Sequence, residues 1–352
     1  MTKIISGIQQ IGIGVSDVYE AWAWYRKNFG FDVAMFDEAA EANLMLPYTD
    51  NKPQKRHAIL AMNLKGGGGF EIWQYKSRTP QPANFEIQLG DIGIFITKIK
   101  ADNITNAYNK LKENGVELVS ELVESPEGKQ HFYVKDPYGN IFEIEEDNRW
   151  NLNQTKIFGG NYGAVIGVTD IDKAKEFYSK ILGYNTVVFD KTEVFEDFAG
   201  IAGGKNKIRR VLLDHSEKRK GAFSELLGAS RMELVSVQDR EPKKIYENRL
   251  WGDLGYIHLC FDIIGMADLK KECEEFGQPF TVDSANSFDM GEAAGHFTYI
   301  EDPDGTLIEF VETHKIPILK KLNWYLDLRK RDMAKPLPKW FFKVINLTRK
   351  KD

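Results

Sequence analysis

Four glutamates lie in stretches that otherwise have the character of buried β-strands. Glu309 follows the turn Asp302-Pro303-Asp304-Gly305 in a strand from Thr306 to Val311, and Glu143 follows Asp136-Pro137-Tyr138-Gly139 at the same spacing. Glu71 in Phe70-Glu71-Ile72-Trp73 and Glu233 in Met232-Glu233-Leu234-Val235 repeat the strand and the acid without the turn. A carboxylate inside such a strand is costly unless it is paired, protonated or bound to a cation. One copy facing water from an edge strand would need no explanation. Four copies at matching positions do.

The elements that must position these acids repeat as well. Ile8 to Val15 alternates as a strand, Ser16-Asp17 caps a helix over Val18 to Phe29, and Gly30 ends it. Strands over Phe31 to Phe36 and Ala58 to Leu64, the turn Gly66 to Gly69 and the Glu71 strand complete a βαβββ module. The four glycines lack the Lys-Ser/Thr and the following helix that a phosphate loop requires, so they are expected to form a hairpin turn. After a linker with Pro80 and Pro82, a second module is expected. It comprises a strand over Ile92 to Ile96, a helix capped by Asp102 and ended by Gly115, a strand over Val116 to Val123, another over His131 to Val134, and Ile141 to Glu145. The third runs from Gly163 through Thr169-Asp170, the helix Ile171 to Leu182 and Gly183 to Glu233. The fourth begins at Tyr256, with a helix from Met266 to Phe276, and ends at Glu312. First strand and strand glutamate are separated by about sixty, fifty, seventy and fifty residues, the mark of a duplicated two-module unit.

Composition bounds the rest. With 352 residues, 42% apolar and 28% charged, the chain is expected to be globular, and a net charge of −5 gives no electrostatic case for nucleic acid. Cys260 and Cys273 form no metal or disulfide pattern and suit a reducing compartment. The N-terminal stretch has no apolar core of a leader, and no run is long enough to span a bilayer, so a cytoplasmic protein without stable membrane insertion is expected.

On these motifs, from about residue 6 to 313, the chain resembles the vicinal-oxygen-chelate superfamily, which includes glyoxalase I, extradiol dioxygenases, methylmalonyl-CoA epimerase and bleomycin-resistance proteins. The resemblance implies an α+β fold of four βαβββ modules (6–76, 86–147, 158–238 and 252–313) paired into two U-shaped mixed sheets. Chain order divides these into domains 1–150 and 151–315, followed by a basic, aromatic extension, 316–352. It further implies a divalent metal held by side chains of first and last strands, a small-molecule substrate, and a monomer or homodimer.

Carried over by position, the first-strand residues are Gln10, Asp91, Gly163 and His258, and the last-strand residues are Glu71, Glu143, Glu233 and Glu309. If neighbouring modules pair, one site is Gln10, Glu71, Asp91 and Glu143 and the other is Glu233, His258 and Glu309. If module one pairs with module four, the set is Gln10, Glu71, His258 and Glu309, the ligand types of the glyoxalase I group, and modules two and three enclose a lapsed site around Gly163. The second scheme is preferred. One imidazole with oxygen ligands suits Zn, Fe, Ni, Co or Mn.

The resemblance implies an isomerase or lyase acting through a metal-chelated enediolate on a small α-hydroxycarbonyl or related compound. Glu309 or Glu71 would be the general base, with Tyr299 facing the substrate. Tyr133 and His131 hold the equivalent places in module two. Gly14, Tyr75 and Leu254 stand where the glutathione-contacting residues would be, which argues against lactoylglutathione. An extradiol dioxygenase is the alternative, although Gly163 replaces a required histidine; a metal-free binding or resistance protein is a third reading. In the extension, Ile316 to Asp332 is expected to be an amphipathic helix broken by Pro336 and Pro338. The aromatic run from Trp340, with Arg349, Lys350 and Lys351, either meets a membrane surface, acts as a lid, or packs on the repeats.

Overall fold

The structure, a computed structural model, describes residues 3–285, 288–289, 294–319 and 324–350. Module one contains β1 (Ile4–Gly14), α1 (Val18–Phe29), β2 (Val33–Glu41), β3 (Lys55–Met62) and β4 (Gly69–Tyr75). Module two contains β5 (Gly93–Ala101), α2 (Ile104–Glu113), β6 (Glu117–Leu118), β7 (Val123–Glu124), β8 (Gln130–Lys135) and β9 (Ile141–Glu146). Module three contains β10 (Phe158–Gly167), α3 (Ile171–Leu182), β11 (Thr186–Glu193), β12 (Ile208–Asp214), α4 (Ser224–Leu227) and β13 (Arg231–Val237). Module four contains β14 (Gly255–Ile264), α5 (Met266–Phe276), β15 (Val282–Asp283), β16 (Phe288–Asp289), β17 (Ala294–Glu301) and β18 (Leu307–Thr313).

The fold is α+β, with two curled mixed sheets. Their composition follows nesting. The outer modules, one and four, form one sheet in the order β15-β17-β18-β14-β1-β4-β3-β2, and the inner modules, two and three, form the other, β11-β12-β13-β10-β5-β9-β8-β6. The chain-order division at residue 150 therefore does not separate the sheets: β1 runs antiparallel to β14, with Gln10 opposite Cys260. The halves are also tied across the sheets. Tyr25 of α1 donates to Asp136 at 2.7 Å and Tyr178 of α3 to Asp302 at 3.0 Å, so the turn aspartates of modules two and four receive the helices of modules one and three.

Strand alternation sorts the two faces. Phe70, Ile72, Leu259, Phe261, Ile308 and Phe310 join the helices and the inner sheet in one large apolar core. Glu71, His258 and Glu309 point to the opposite, concave face. Asp17 and Asp170 cap α1 and α3 by accepting two backbone N–H groups each, as their sequence positions require.

Several expectations are corrected. β5 extends to Ala101 instead of ending at Ile96, because its later residues Thr97, Lys98 and Lys100 are buried despite their polarity. Asn103, not Asp102, caps α2, while the Asp102 carboxylate takes the Lys65 ammonium at 2.6 Å. The strand expected over Val116 to Val123 is two short pieces, β6 and β7, each pairing with β8. The four-glycine run is more than a hairpin turn: Gly68 and Asn161 exchange backbone hydrogen bonds at 2.7 and 2.9 Å, joining the two sheets.

The extension is corrected too. Where a helix was expected from Ile316, β19 (Lys315–Leu319) pairs antiparallel with β20 (Trp324–Asp327). The sequence Ile316-Pro317-Ile318 explains this, since β-branched residues around a proline favour extended chain over helix. A short helix, α6 (Lys339–Ile345), follows. Its Phe341 and Phe342 are buried against Leu226, Leu227 and Leu60, whereas Trp340 is exposed. The chain end returns to module one, where the Lys350 N–H donates to Asp32 O at 2.8 Å. Among the described residues no helix is long and apolar enough to cross a membrane.

Candidate metal centre

On the concave face of the outer sheet, four adjacent strands each contribute one side chain: Gln10 from β1, Glu71 from β4, His258 from β14 and Glu309 from β18. The ladder sets their spacing. Gly12 lies opposite both Glu71 and His258, and Cys260 lies opposite Glu309. The His258 ring lies across Gly12, where an added Cβ would stand 2.6 Å from Nδ1, so this position must lack a side chain.

His258 Nε2 is 3.0 Å from Glu309 Oε2 and 3.4 Å from Glu71 Oε2. The Gln10 amide donates to Glu309 Oε2 at 3.4 Å. Ligand atoms of Glu71, His258 and Glu309 all lie within 4.8 Å of one another. Tyr299 places its hydroxyl 3.4 Å from His258 Nδ1, and Trp251 lies parallel to the imidazole at 6.3 Å between ring centres. With Nδ1–H donating to the Tyr299 oxygen, Nε2 is the nitrogen left to ligate. Despite its short distances, Nε2 makes no well-oriented hydrogen bond, and Gln10 Oε1, also buried, has no partner. An unpartnered buried amide oxygen beside two carboxylates that share one imidazole fits a divalent cation.

Charge leads to the same point. Burial pushes Glu71 up to about 7, partly offset by His258 and reinforced by Glu309. For His258, burial opposes the charged form, but Glu309 and Glu71 outweigh it and the net shift is upward. Two acids thus share one imidazole. Arg56, a further cation acting on Glu71, is engaged by Glu38 at 2.8 Å.

The inner sheet repeats the geometry with different residues. Lys98 pairs with Glu143 as Cys260 pairs with Glu309, so the counterpart of His258, two residues earlier, is Ile96. Asp91 is not at this position. It precedes β5, holding Arg240 at 2.6 Å and the Gln88 and Lys243 N–H groups, so the set of Gln10, Glu71, Asp91 and Glu143 does not assemble. Nor does Glu233 join His258 and Glu309.

Instead Lys98 Nζ stands among Glu143 at 2.5 Å, Glu145 at 2.8 Å and Glu233 at 2.8 Å. Arg210 pairs with Glu233 and with Asp197, the latter at 2.6 Å, and His131 contacts Glu143 at 2.6 Å and Asp197 at 3.3 Å. Gly163 suits this packing: a Cβ there would run into the Arg231 carbonyl oxygen and come 3.0 Å from Lys98 Cδ. Lys98, Glu145, Asp197 and Arg210 were not anticipated from sequence. Their only signal was a pair of lysines at alternate positions on a strand whose end was set too early.

The outer-sheet cluster opens into a cavity of about 660 Å³ lined by Gln10, Glu71, Glu309 and Tyr299 and by many apolar side chains.

Known proteins share this arrangement of elements. The model of the glyoxalase/bleomycin resistance protein/dioxygenase superfamily matches residues 7–144 and again 163–310. A putative dioxygenase from Bacillus subtilis is similar over 88% of this chain and 86% of its own, with TM-score 0.57 and 15% identity. A point mutant of glyoxalase I from Zea mays is similar over 88% of this chain and 94% of its own, with TM-score 0.54 and 13% identity. At these identities the likeness is one of fold. No curated protein matches the chain.

Proposed function

The chain belongs to the glyoxalase/bleomycin resistance protein/dioxygenase superfamily, and from that premise we propose that it is a metal-dependent, glyoxalase-like isomerase or lyase acting on a small α-hydroxycarbonyl or related compound in the cytoplasm. The observation that carries the reading is the meeting of Gln10, Glu71, His258 and Glu309 on a cavity floor, with Gln10 Oε1 buried and unpartnered and one imidazole between two carboxylates. These four side chains would hold the cation, with Zn, Fe, Ni, Co and Mn all compatible with one nitrogen and three oxygen donors. A divalent ion there would chelate two neighbouring substrate oxygens and stabilise the anion left when a carbon-bound proton is removed.

The chain's own residues do the rest. Glu71 or Glu309, both lining the cavity, takes the proton from the hydroxyl-bearing carbon next to the carbonyl and returns it to the carbonyl carbon, while the hydroxyl proton passes to the former carbonyl oxygen. Tyr299 orients His258 through Nδ1 and presents its ring to the substrate. Trp251 and Trp73 shield the floor from water.

Ring-cleaving dioxygenase chemistry is less well supported, because His258 is the only histidine among the four converging side chains and Gln10 takes the other first-strand place.

Metal analysis of the purified chain, followed by proton NMR of an α-hydroxyketone in D2O, tests the proposal. A stoichiometric divalent ion is expected, with deuterium entering at the α-carbon, and both His258→Ala and Glu71→Gln losing exchange. Absence of bound metal would favour a binding protein, and oxygen consumption on a catechol would favour the dioxygenase.

A further inference from the structure

Resting on the reading above, we infer that the substrate is an apolar molecule, an aryl or long-chain alkyl body bearing two adjacent oxygen donors, and that the C-terminal extension forms the wall that receives this body. The cavity volume suits a small organic ligand. Polarity is confined largely to its floor and to the glutamates of β2, while Leu60, Met62, Leu227, Ile316, Phe342 and Ile345 supply apolar wall. The last three lie beyond residue 310, where the family match ends, so this wall is an addition to the shared fold.

Charge points the same way. Among the described residues Arg56 is the only basic side chain lining the cavity, and it is committed to Glu38, whose carboxylate and carbonyl accept from it at 2.8 and 3.1 Å. Glu38, Glu41, Glu71 and Glu309 line the same space. With Glu71 and Glu309 engaged by the cation of the proposed reading and Glu38 by Arg56, the far end of a phosphate ester, a dicarboxylate or a peptide-like thiol conjugate would lie beside Glu41 with no free basic side chain to meet it. An apolar body meets no such cost. Met35 and Leu44, both lining the cavity, are 36% and 43% exposed, so its apolar lining continues out to the rim.

The full chain loaded with zinc and titrated calorimetrically with acetohydroxamate and octanohydroxamate tests this, since both probes offer the same two oxygens and differ only in the tail. Octanohydroxamate should bind at least about tenfold more tightly. Ile345→Glu, on the half-buried wall, should cut that advantage to below about threefold while leaving acetohydroxamate affinity unchanged. Leu44→Glu at the exposed rim gives the same readout should the first variant not fold. Equal affinities for the two probes on zinc-loaded chain would overturn the apolar assignment alone. Failure of the chain to hold zinc would overturn it together with the metal-enzyme reading, and zinc analysis separates the two results.

Discussion

The outer and inner sheets carry the same strand acids at the same register, and they neutralise them by opposite means. In the inner sheet, the Lys98 ammonium is surrounded by Glu143, Glu145 and Glu233, with Arg210 and His131 completing the balance. In the outer sheet, Glu71 and Glu309 share the His258 imidazole, and the buried Gln10 Oε1 stays unmatched. The exchange turns on two first-strand positions. Where the outer sheet has Gln10 the inner has Gly163, which leaves space for Lys98, and where the outer has Cys260 the inner has Lys98 itself. A duplicated fold can therefore keep one acid cluster in need of a cation while the other supplies its own.

Replacing the internal cation should have the largest effect. Lys98→Met leaves buried carboxylates without their common partner and should destabilise the chain by about 3–5 kcal/mol in chemical denaturation; an unchanged midpoint would break the comparison.

Next comes pH. Burial opposes protonation of His131, but the hydrogen bonds it donates to Asp197 and Glu143 and the charge of Glu145 raise it from 6.5 to about 9. A raised histidine contributes stability that is complete below pH 6.5 and lost as pH climbs through 9, here roughly 3 kcal/mol. Denaturation midpoints measured from pH 6 to 10 should fall across that window, and a flat profile would show that His131 is not held protonated.

Gly163→Ala should cost about 1–3 kcal/mol by crowding Lys98 and the Arg231 backbone, a loss readable in the melting temperature. The mildest change is Gln10→Ala in the outer sheet. It should leave stability within about 1 kcal/mol yet weaken metal binding about tenfold, as read by competition with a chromophoric chelator. A loss of stability like that of Gly163→Ala would mean that Gln10 is structural.

The modules were legible in the sequence because caps, turns and strand acids are local signals: Asp17, Asp170, Gly30 and the two Asp-Pro-x-Gly turns announce themselves over a few residues. Which modules pair was not, since the contact between Gln10 and Cys260 leaves no trace in either neighbourhood. Alternation around Glu71 and Glu309 pointed to an inward face. Lys98 was hidden because lysine in a strand usually means solvent, and only the ring of inner-sheet acids reverses that expectation. The misplacement of Asp91 followed, since ending β5 at Ile96 shifted the position matched to His258. In the extension, helical spacing of apolar residues was present from Ile316, but Pro317 and the pairing of β19 with β20 decided the conformation.

Nesting also orders assembly. The inner sheet can close once synthesis has passed β13, whereas β1, made first, must wait beside β4 with one edge unpaired until β14 leaves the ribosome. During that interval its free backbone groups invite intermolecular pairing. A nascent chain halted before β14 should thus be the aggregation-prone species, and the outer sheet the last part of the molecule to become native.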